Sequence, residues 1–207
     1  MQLTTKEAIE KRRSIRKFKE DAVPDECIAA LLDAARLAPS GCNAQPWRFK
    51  IVQDNEIKMK LANAAYDQAF IARAPVVLVC CADIRGYLEG TVSGIQDLGQ
   101  TGAIDERIVK LLLRRTSQME TQMKLMSREQ LASRMAFNVA IALEHIVLRA
   151  MDFGLGTCWV RLIEEQKVKE IFGWDDNLFV VALLPIGYPD ESPQPRKRLS
   201  IEELIIQ

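Results

Sequence analysis

Residues 138–160, NVAIALEHIVLRAMDFGLGTCWV, decide the expected fold of this 207-residue chain. The stretch is apolar on most helical faces up to about Asp152, which predicts a helix buried in a core or an interface. Gly154 is suited to end that helix as a left-handed cap. A strand is then expected at residues 157–160.

Further helix and strand signals extend on both sides of this stretch. Capping boxes at Thr4-x-x-Glu7 and Ser127-x-x-Gln130 predict the starts of a short first helix and of the buried helix. Apolar or alternating runs predict three more strands, at residues 47–52, 75–82 and 178–184. Other helices are expected at residues 24–35, 55–74, 104–126 and 164–172, with a short one from Ser200. Helices and strands in irregular order around one sheet indicate the α+β class.

Residues 83–103 carry five glycines, which predict a loop-rich segment there. Helical spacing returns over residues 104–126. The apolar side of that helix includes Ile108, Leu111, Leu112, Met119, Met123 and Met126. Its methionine-rich part is expected to be core or interface rather than a substrate site.

Composition argues against several function classes. The 28 lysines and arginines balance the 28 aspartates and glutamates, so there is no global case for nucleic-acid or membrane-surface binding. No apolar run approaches the roughly 18 residues of a membrane helix, and the charged N-terminus lacks a signal-peptide core. A cytoplasmic protein is expected. With one histidine, His145, and no CxxC pair, a zinc site is not expected, and the five cysteines are interpreted as buried free thiols. His145 and Asn138 are expected to serve packing.

Four short motifs carry the candidate chemistry, and each also has a plain structural interpretation. Arg12, Arg13, Ser14 and Arg16 lie where a helix ends, and arginine forks bind phosphate, although a helix dipole alone favours cations there. The loop 39–47, PSGCNAQPW, could read a planar ligand or be a structural turn. The segment 154–160 could bring backbone close to a ligand or be a strained helix-to-strand turn. The basic run 196–198 could bind an anion or be solvated.

Together these motifs resemble the nitroreductase family. The matching pieces are RRSIRKF, APSGCNAQPWRF, the buried helix ending in GLGTCWV, VVALLPIGYP and PRKR, in the family's order. The resemblance covers residues 6–82 and 131–206. It implies one domain over residues 1–207 with a variable insertion at about 83–130, which we expect to form an arm or lid over a flavin.

The implied fold is a three-layer α+β sandwich with a central mixed, mostly antiparallel sheet, assembled as an intertwined homodimer. Two FMN sites would lie at the interface. By the resemblance, Arg12, Arg13, Ser14 and Arg16 would hold the phosphate, the ribityl chain and the pyrimidine edge, and Arg196 and Arg198 would complete the phosphate clamp. Pro39, Ser40, Gly41, Asn43 and Gln45 would reach the flavin from the other subunit. Gln68 is a looser candidate for the ring.

The segment Cys158, Trp159, Val160 and Arg161 would lie beside the isoalloxazine, with one backbone N–H of Val160 or Arg161 near N5. Such a donor stabilises reduced flavin. No side chain would act as a nucleophile, and no metal is implied. Arg161 either enters the cleft and selects an anionic acceptor or points to solvent.

The resemblance implies a ping-pong NAD(P)H:acceptor oxidoreductase that reduces nitroaromatics, quinones or similar electrophiles. The alternatives are another flavin chemistry on the same scaffold (reductive dehalogenation, azoline oxidation or flavin fragmentation), a non-catalytic flavin-binding protein and a cofactor-free interaction module. The sequence names neither the natural acceptor nor the choice between NADH and NADPH.

Overall fold

A four-stranded antiparallel sheet forms the centre of the computed structural model, which describes residues 3–123 and 125–206, without the side chains of residues 119 and 120. Its strands are β1 (Trp47–Val52), β2 (Val76–Asp83), β3 (Gly156–Thr157) and β4 (Leu178–Gly187), in the order β1-β2-β4-β3. The expected mixed sheet is antiparallel in all four of these strands, and the parallel component is a single bridge between Ser14 and Thr157.

Helices surround the sheet within the same described ranges. They are α1 (Thr5–Lys11), α2 (Asp25–Arg36), α3 (Asn55–Ala64), α4 (Phe70–Arg73), α5 (Ile84–Gln100), α6 (Glu106–Met123), α7 (Arg128–Ala150), α8 (Glu165–Phe172) and α9 (Ile201–Leu204). Short 3₁₀ turns occur at Gly41–Asn43 and Met151–Phe153. Both predicted capping boxes are present, and Gly154 has the predicted left-handed φ of 68°.

The two faces of the sheet bury separate hydrophobic clusters, which makes the three-layer arrangement. On one face, Val76, Leu78 and Cys80 of β2 pack against α2 and α7. On the other face, Val77, Val79 and Cys81 pack against α3 and α8. The neighbouring cysteines therefore point to opposite faces, as their positions in a strand require.

A β-bulge changes which residues of β4 face each layer. Cys80 lies opposite Ala182 and Cys81 opposite Val180, so Val181 is the extra residue between them. Val181 and Ala182 both contribute to the cluster under α7 although they are consecutive. The bulge thus shifts the alternation of β4, so that Val180 and Leu183 face the opposite cluster.

The prediction of a loop-rich segment at 83–103 is wrong, because most of these residues form the 17-residue helix α5. Its glycines serve close packing. A Cβ on Gly90 would lie 2.1 Å from the Ala44 carbonyl oxygen, and one on Gly94 would lie 1.7 Å from the Cys42 carbonyl oxygen. A Cβ on Gly99 would meet Val109 of α6 at 2.6 Å. Glycine content therefore marks a contact surface of a helix here, not a loop.

Other boundaries differ modestly from expectation. The helix expected at 55–74 is broken between α3 and α4, where Tyr66 and Asp67 have positive φ. The strand expected at 157–160 is reduced to β3 and a single bridge from Val160 to Leu183. On α6, Met123 is buried but Leu111 is half exposed, so the apolar side is only partly covered. The Met119 side chain lies outside those described.

The long helix α7 is the core helix that the sequence predicted. Together with the turn that follows it, residues 128–153 are long and apolar enough to cross a membrane by length and composition alone. Packing explains part of the apolar character of α7, since Met135, Leu143 and Ile146 are fully buried against the sheet and α2. His145 is half buried, with Nδ1 3.2 Å from the Ala34 carbonyl, in agreement with a packing role.

The cysteines also behave largely as expected. Cys27, Cys80, Cys81 and Cys158 are buried free thiols, whereas Cys42 is partly exposed in the loop before β1. Burial raises the pKa of all four buried thiols, and that of Cys81 reaches about 12. These four thiols are consequently poor nucleophiles.

Candidate functional site

A cavity of about 400 Å³ collects side chains from both ends of the chain. Its polar lining includes Arg12, Arg13, Ser14, Arg16, Arg196 and Arg198. The remaining wall is made by Ile9, Glu10 and residues 193–195. The structure therefore brings together the two basic motifs that the sequence predicted to act jointly. We call this cavity the arginine cavity.

Backbone pairing holds the N-terminal half of the arginine cavity in place. Ser14 bridges Thr157 of β3, and the Ile15 N–H donates to the Thr157 carbonyl at 2.9 Å. Gly156 permits this approach, because a Cβ there would lie 2.5 Å from Ile15 Cγ1. Gly156 therefore allows a close contact within the chain, and approach of residues 154–160 to a ligand stays a prediction.

Glu191 fixes the C-terminal segment beside the same strand. Its carboxylate accepts hydrogen bonds from the backbone N–H groups of Arg16, at 2.5 Å, and Lys17, at 3.0 Å. The Asp190 N–H donates to the Lys17 carbonyl at 2.9 Å. These bonds start residues 192–198 on a path past the arginine cavity, which is how Arg196 and Arg198 reach it.

The arginines of this cavity lack carboxylate partners at ion-pair distance within the described part of the chain, although Glu10 lies in the cavity wall. None of its five arginines forms an ion pair with a carboxylate among residues 3–123 and 125–206. Arg13 donates to the carbonyls of Glu10 and Arg12, both at 2.7 Å, and Arg16 lies 5.9 Å from the centroid of the Phe70 ring. Several forked donors around one space match a phosphate dianion. The donor set therefore fits the phosphate of FMN.

An open strand edge continues from the arginine cavity. The Val160 N–H donates to Leu183 of β4 at 2.9 Å, so Val160 is not available as the flavin N5 donor. Because N–H directions alternate along a strand, those of Trp159 and Arg161 point away from β4. Neither has an acceptor within the described part of the chain. Of the two expected N5 donors, Arg161 is the one whose N–H is free, and its side chain is exposed.

Gln68 and Cys158 lie next to this edge but not at it. The Gln68 amide donates to the Ala65 carbonyl at 2.8 Å and to the Leu162 carbonyl at 3.3 Å. It therefore joins the turn before α4 to the segment after Arg161. The Cys158 side chain is 2% exposed and lies in the core cluster under α8. Burial raises the pKa of Cys158, although Arg16 and Ser14 act to lower it. Cys158 is therefore a core residue beneath the strand edge.

The loop 38–46 forms a second, separate cluster of predicted residues. The Gln45 N–H donates to Ser40 Oγ at 3.0 Å, and the Gln45 side chain donates to the Asn43 carbonyl at 3.3 Å. Pro39, Gly41 and Asn43 are exposed. The loop therefore presents short polar groups and backbone to the surroundings, as the sequence predicted. We call residues 40–45 the ring-side loop.

The ring-side loop has an unusual backbone. Cys42, Asn43 and Gln45 all have positive φ, at 51°, 53° and 47°. Each such residue costs about 1 kcal/mol or more unless its surroundings hold it. One contact that holds the loop comes from Asn138 on α7, which is 5% exposed and accepts a hydrogen bond from the Gly41 N–H at 3.1 Å. The sequence predicted only a packing role for Asn138.

The arginine cavity and the ring-side loop lie at opposite corners of the sheet. The loop enters β1 at Trp47, opposite Ala82, whereas Thr157 beside Ser14 lies opposite Ile186 and hence level with Val76. The two positions are three strands and six residues apart, or roughly 25 Å. The two groups of predicted residues therefore do not meet within one chain.

An α+β sandwich with a phosphate-matched cavity beside an open strand edge defines a protein that binds a phosphate-bearing cofactor. The nitroreductase family model matches residues 9–188, and the chain belongs to that family. The family uses FMN, with NAD(P)H as electron donor, so the chain is by class a flavin-dependent NAD(P)H oxidoreductase. The family, fold class, enzyme class and cofactor expected from the sequence are confirmed.

Individual relatives agree in extent. A protein of Thermus thermophilus named NADH dehydrogenase is 34% identical over 206 residues, which cover 99% of this chain and 96% of that protein. The solved structure of ydfN from Bacillus subtilis is 22% identical, with a TM-score of 0.83 and coverage of 98% and 97%. A protein from Exiguobacterium sibiricum, solved in complex with FMN, is 23% identical, with a TM-score of 0.80 and coverage of 100% and 99%.

Proposed function

We propose that this protein is a homodimeric FMN-dependent NAD(P)H oxidoreductase that reduces nitroaromatics, quinones or similar electrophilic acceptors. The observation that carries the proposal is the arginine cavity: five guanidinium groups from two distant segments surround one space without a carboxylate partner among the described residues. Like charges this close repel each other, so the arrangement favours a bound anion. A phosphate ester anchored there would extend its remaining atoms along the open edge at Trp159 and Arg161.

FMN, when bound, supplies the redox chemistry, taking a hydride from NAD(P)H and passing electrons to the acceptor. The chain supplies binding and orientation. The arginines and Ser14 hold the phosphate, and the Arg161 N–H offers a hydrogen bond to the ring edge. NAD(P)H and the acceptor use the same cleft in turn, which gives ping-pong kinetics. The natural acceptor and the choice between NADH and NADPH are left to measurement.

A second copy of the chain completes each site. The roughly 25 Å between the arginine cavity and the ring-side loop is too far for one flavin ring system to contact both from a single chain. In a twofold dimer, the loop of one subunit faces the cavity of the other. Pro39, Ser40, Gly41, Asn43 and Gln45 then reach the flavin from the partner.

Uncovered apolar surface supports the dimer. On α7, Phe137 is 68% exposed, on the side away from the sheet, and Leu37 after α2 is 64% exposed. The C-terminal residues 199–206 expose Leu199, Ile201, Leu204, Ile205 and Ile206. Many large apolar side chains left exposed in this way favour an interface. We assign α7 and this tail to the contact between subunits.

The chain is proposed to be one domain over residues 1–207, located in the cytoplasm. Helices α5 and α6 are proposed to be the arm expected at about residues 83–130. Because α5 packs directly on the ring-side loop, the arm lies next to the flavin ring of the partner's site. It is therefore placed to limit which acceptors enter.

The first experiment is a visible spectrum of the purified protein, followed by anaerobic addition of NADH or NADPH. We expect flavin bands that bleach with one or both donors and return when a nitroaromatic or quinone is added. Size-exclusion chromatography with light scattering should give twice the 23.4 kDa chain mass. Initial rates with both substrates varied should give parallel double-reciprocal lines.

Each alternative has its own signature in the same experiment. Flavin that binds but resists NAD(P)H would indicate a non-catalytic flavoprotein. Flavin that is reduced but passes electrons only to a halogenated aromatic would indicate another chemistry on the scaffold. A colourless protein that takes up no added FMN would refute the proposal.

A further inference from the structure

The helix α5 contacts the ring-side loop backbone to backbone. Gly90 and Gly94, one helical turn apart, face the carbonyl oxygens of Ala44 and Cys42. Any side chain at these two positions would overlap a backbone oxygen, since the added Cβ would lie 2.1 Å and 1.7 Å away. Unlike a clash with a flexible side chain, this overlap is relieved only by moving the helix or the loop.

The contact falls on the strained part of the loop. Cys42 and Asn43, with Gln45 two residues on, have positive φ. Isolated left-handed residues without glycine persist only where the surroundings hold them. Asn138 holds the loop at Gly41 from one side, and α5 closes it from the other.

The first turn of α5 is itself fixed by one residue of a distant turn. Asn177, just before β4, holds this turn with its backbone carbonyl and with both polar atoms of its side-chain amide. Its carbonyl accepts from Ile84 N–H at 3.0 Å, its Oδ1 from Arg85 N–H at 3.0 Å, and its Nδ2 donates to Asp83 Oδ1 at 2.7 Å. The position of α5 along the loop is thereby set at its N-terminus.

Asp83 connects this anchor to the loop by a second route. Its carboxylate lies 3.1 Å from an Arg48 guanidinium nitrogen, and Arg48 donates to the Gln45 carbonyl at 3.1 Å. The Asp83 N–H donates to the Pro46 carbonyl at 2.8 Å. The anchor, the helix and the loop therefore form one connected unit.

We infer that Gly94 and Asn177 are positioning residues for flavin recognition: they place α5 so that it holds the ring-side loop in its binding conformation. The inference rests on the proposed function, because the loop contacts flavin only in the completed dimer. Neither residue touches the cofactor. Their effect passes through the backbone of residues 42–45.

Gly94→Ala tests the inference, with Gly99→Ala as the matched control. Both changes add one methyl group to the same helix, and alanine is the better helix former. At Gly99 the methyl group meets Val109 of α6, whereas at Gly94 it meets the loop. Asn177→Ala is the second test variant, since it loosens the anchor without adding bulk.

Two readouts separate positioning from a general loss of structure. Flavin fluorescence titration gives Kd for FMN and for riboflavin, which lacks the phosphate. We expect Gly94→Ala and Asn177→Ala to weaken both by the same factor, on the order of tenfold, because the ring side is disturbed and the phosphate side is not. The second readout is the rate at which the Cys42 thiol of the flavin-free protein reacts with a thiol reagent, which should rise in both variants.

Gly99→Ala should match the wild-type protein in both readouts. If Gly94→Ala does not fold, Asn177→Ala carries the test. Folded dimeric variants with wild-type Kd values and wild-type Cys42 reactivity would overturn the inference. If the wild-type protein binds no flavin, the proposed function fails, and the Cys42 rates still decide whether α5 holds the loop.

Discussion

The arginine cavity and the ring-side loop are built in different ways, and under the proposed function they would recognise different parts of FMN. The cavity uses long charged side chains carried on segments with ordinary backbone, pinned by Thr157 and Glu191. The loop uses short side chains and a left-handed backbone, held from outside by α5 and Asn138. Charge recognition of the first kind is local and survives small displacements. Shape recognition of the second kind depends on neighbours that never touch the ligand.

The largest expected effect follows from removing charge on one side only. Arg196→Ala with Arg198→Ala should raise the Kd for FMN by at least about a hundredfold, because each lost charge-assisted hydrogen bond is worth about 1.5–3 kcal/mol. Riboflavin binding should be unchanged. Fluorescence titration with the two flavins measures the difference.

Arg36→Ala is the control for that double variant, since Arg36 is exposed and paired with Asp33 at the far end of α2. Equal loss of FMN and riboflavin would show that the C-terminal segment shapes the ring side as well. The division between charge and shape recognition would then be wrong.

A smaller effect is expected from the external support of the loop. Asn138→Ala removes the acceptor of the Gly41 N–H, which costs about 1 kcal/mol because Gly41 is exposed and water can replace the lost partner. Urea unfolding should show this loss, and both flavins should bind more weakly. Asn138→Asp keeps an acceptor oxygen and should recover the loop contact. Weakened FMN binding with unchanged riboflavin binding would contradict the assignment of Asn138 to the ring side.

The smallest effect concerns pH and the core beneath the arginine cavity. Burial raises the pKa of Cys158, and that of Cys81 to about 12, above the usual thiol value of 9.0. The unfolded chain therefore loses these protons first, so stability falls as the pH rises from about 9 towards 12. Urea midpoints on either side of pH 9.0 measure the slope.

Cys158→Ala should reduce that alkaline slope, because it removes a thiol that is 2% exposed and keeps its proton to higher pH in the folded chain than in the unfolded chain. A slope that is the same in Cys158→Ala as in the wild-type protein would contradict this assignment.

The same contrast explains what the sequence predicted and what it missed. Local sequence patterns predict strand β1 and the capping boxes at Thr4 and Ser127, and the structure has all three where expected. The arginines of the cavity are recognisable because a guanidinium is chemically distinctive wherever it stands. These features do not depend on a tertiary partner for their identity.

The errors arise where a tertiary contact reverses a local preference. Gly90 and Gly94 disfavour a helix taken alone, yet α5 forms, and these two glycines let it pack directly on the ring-side loop. Asn138 is polar within an apolar helix, and only the folded chain shows that Gly41 is its partner. The sequence predicts Val160 as a candidate donor to flavin N5, but in the folded chain its N–H donates to the Leu183 carbonyl.

The contact of Gly90 and Gly94 with the loop limits how this enzyme can be rebuilt. An arm taken from a relative cannot be inserted independently of the rest of the chain, because its first helix must also have glycine at these two positions. If residues 84–123 were replaced without residues 40–45, the new first helix and the old ring-side loop would not be complementary in shape. Changes in acceptor range obtained by such grafts should therefore come with changes in cofactor retention, and the two properties would have to be selected together.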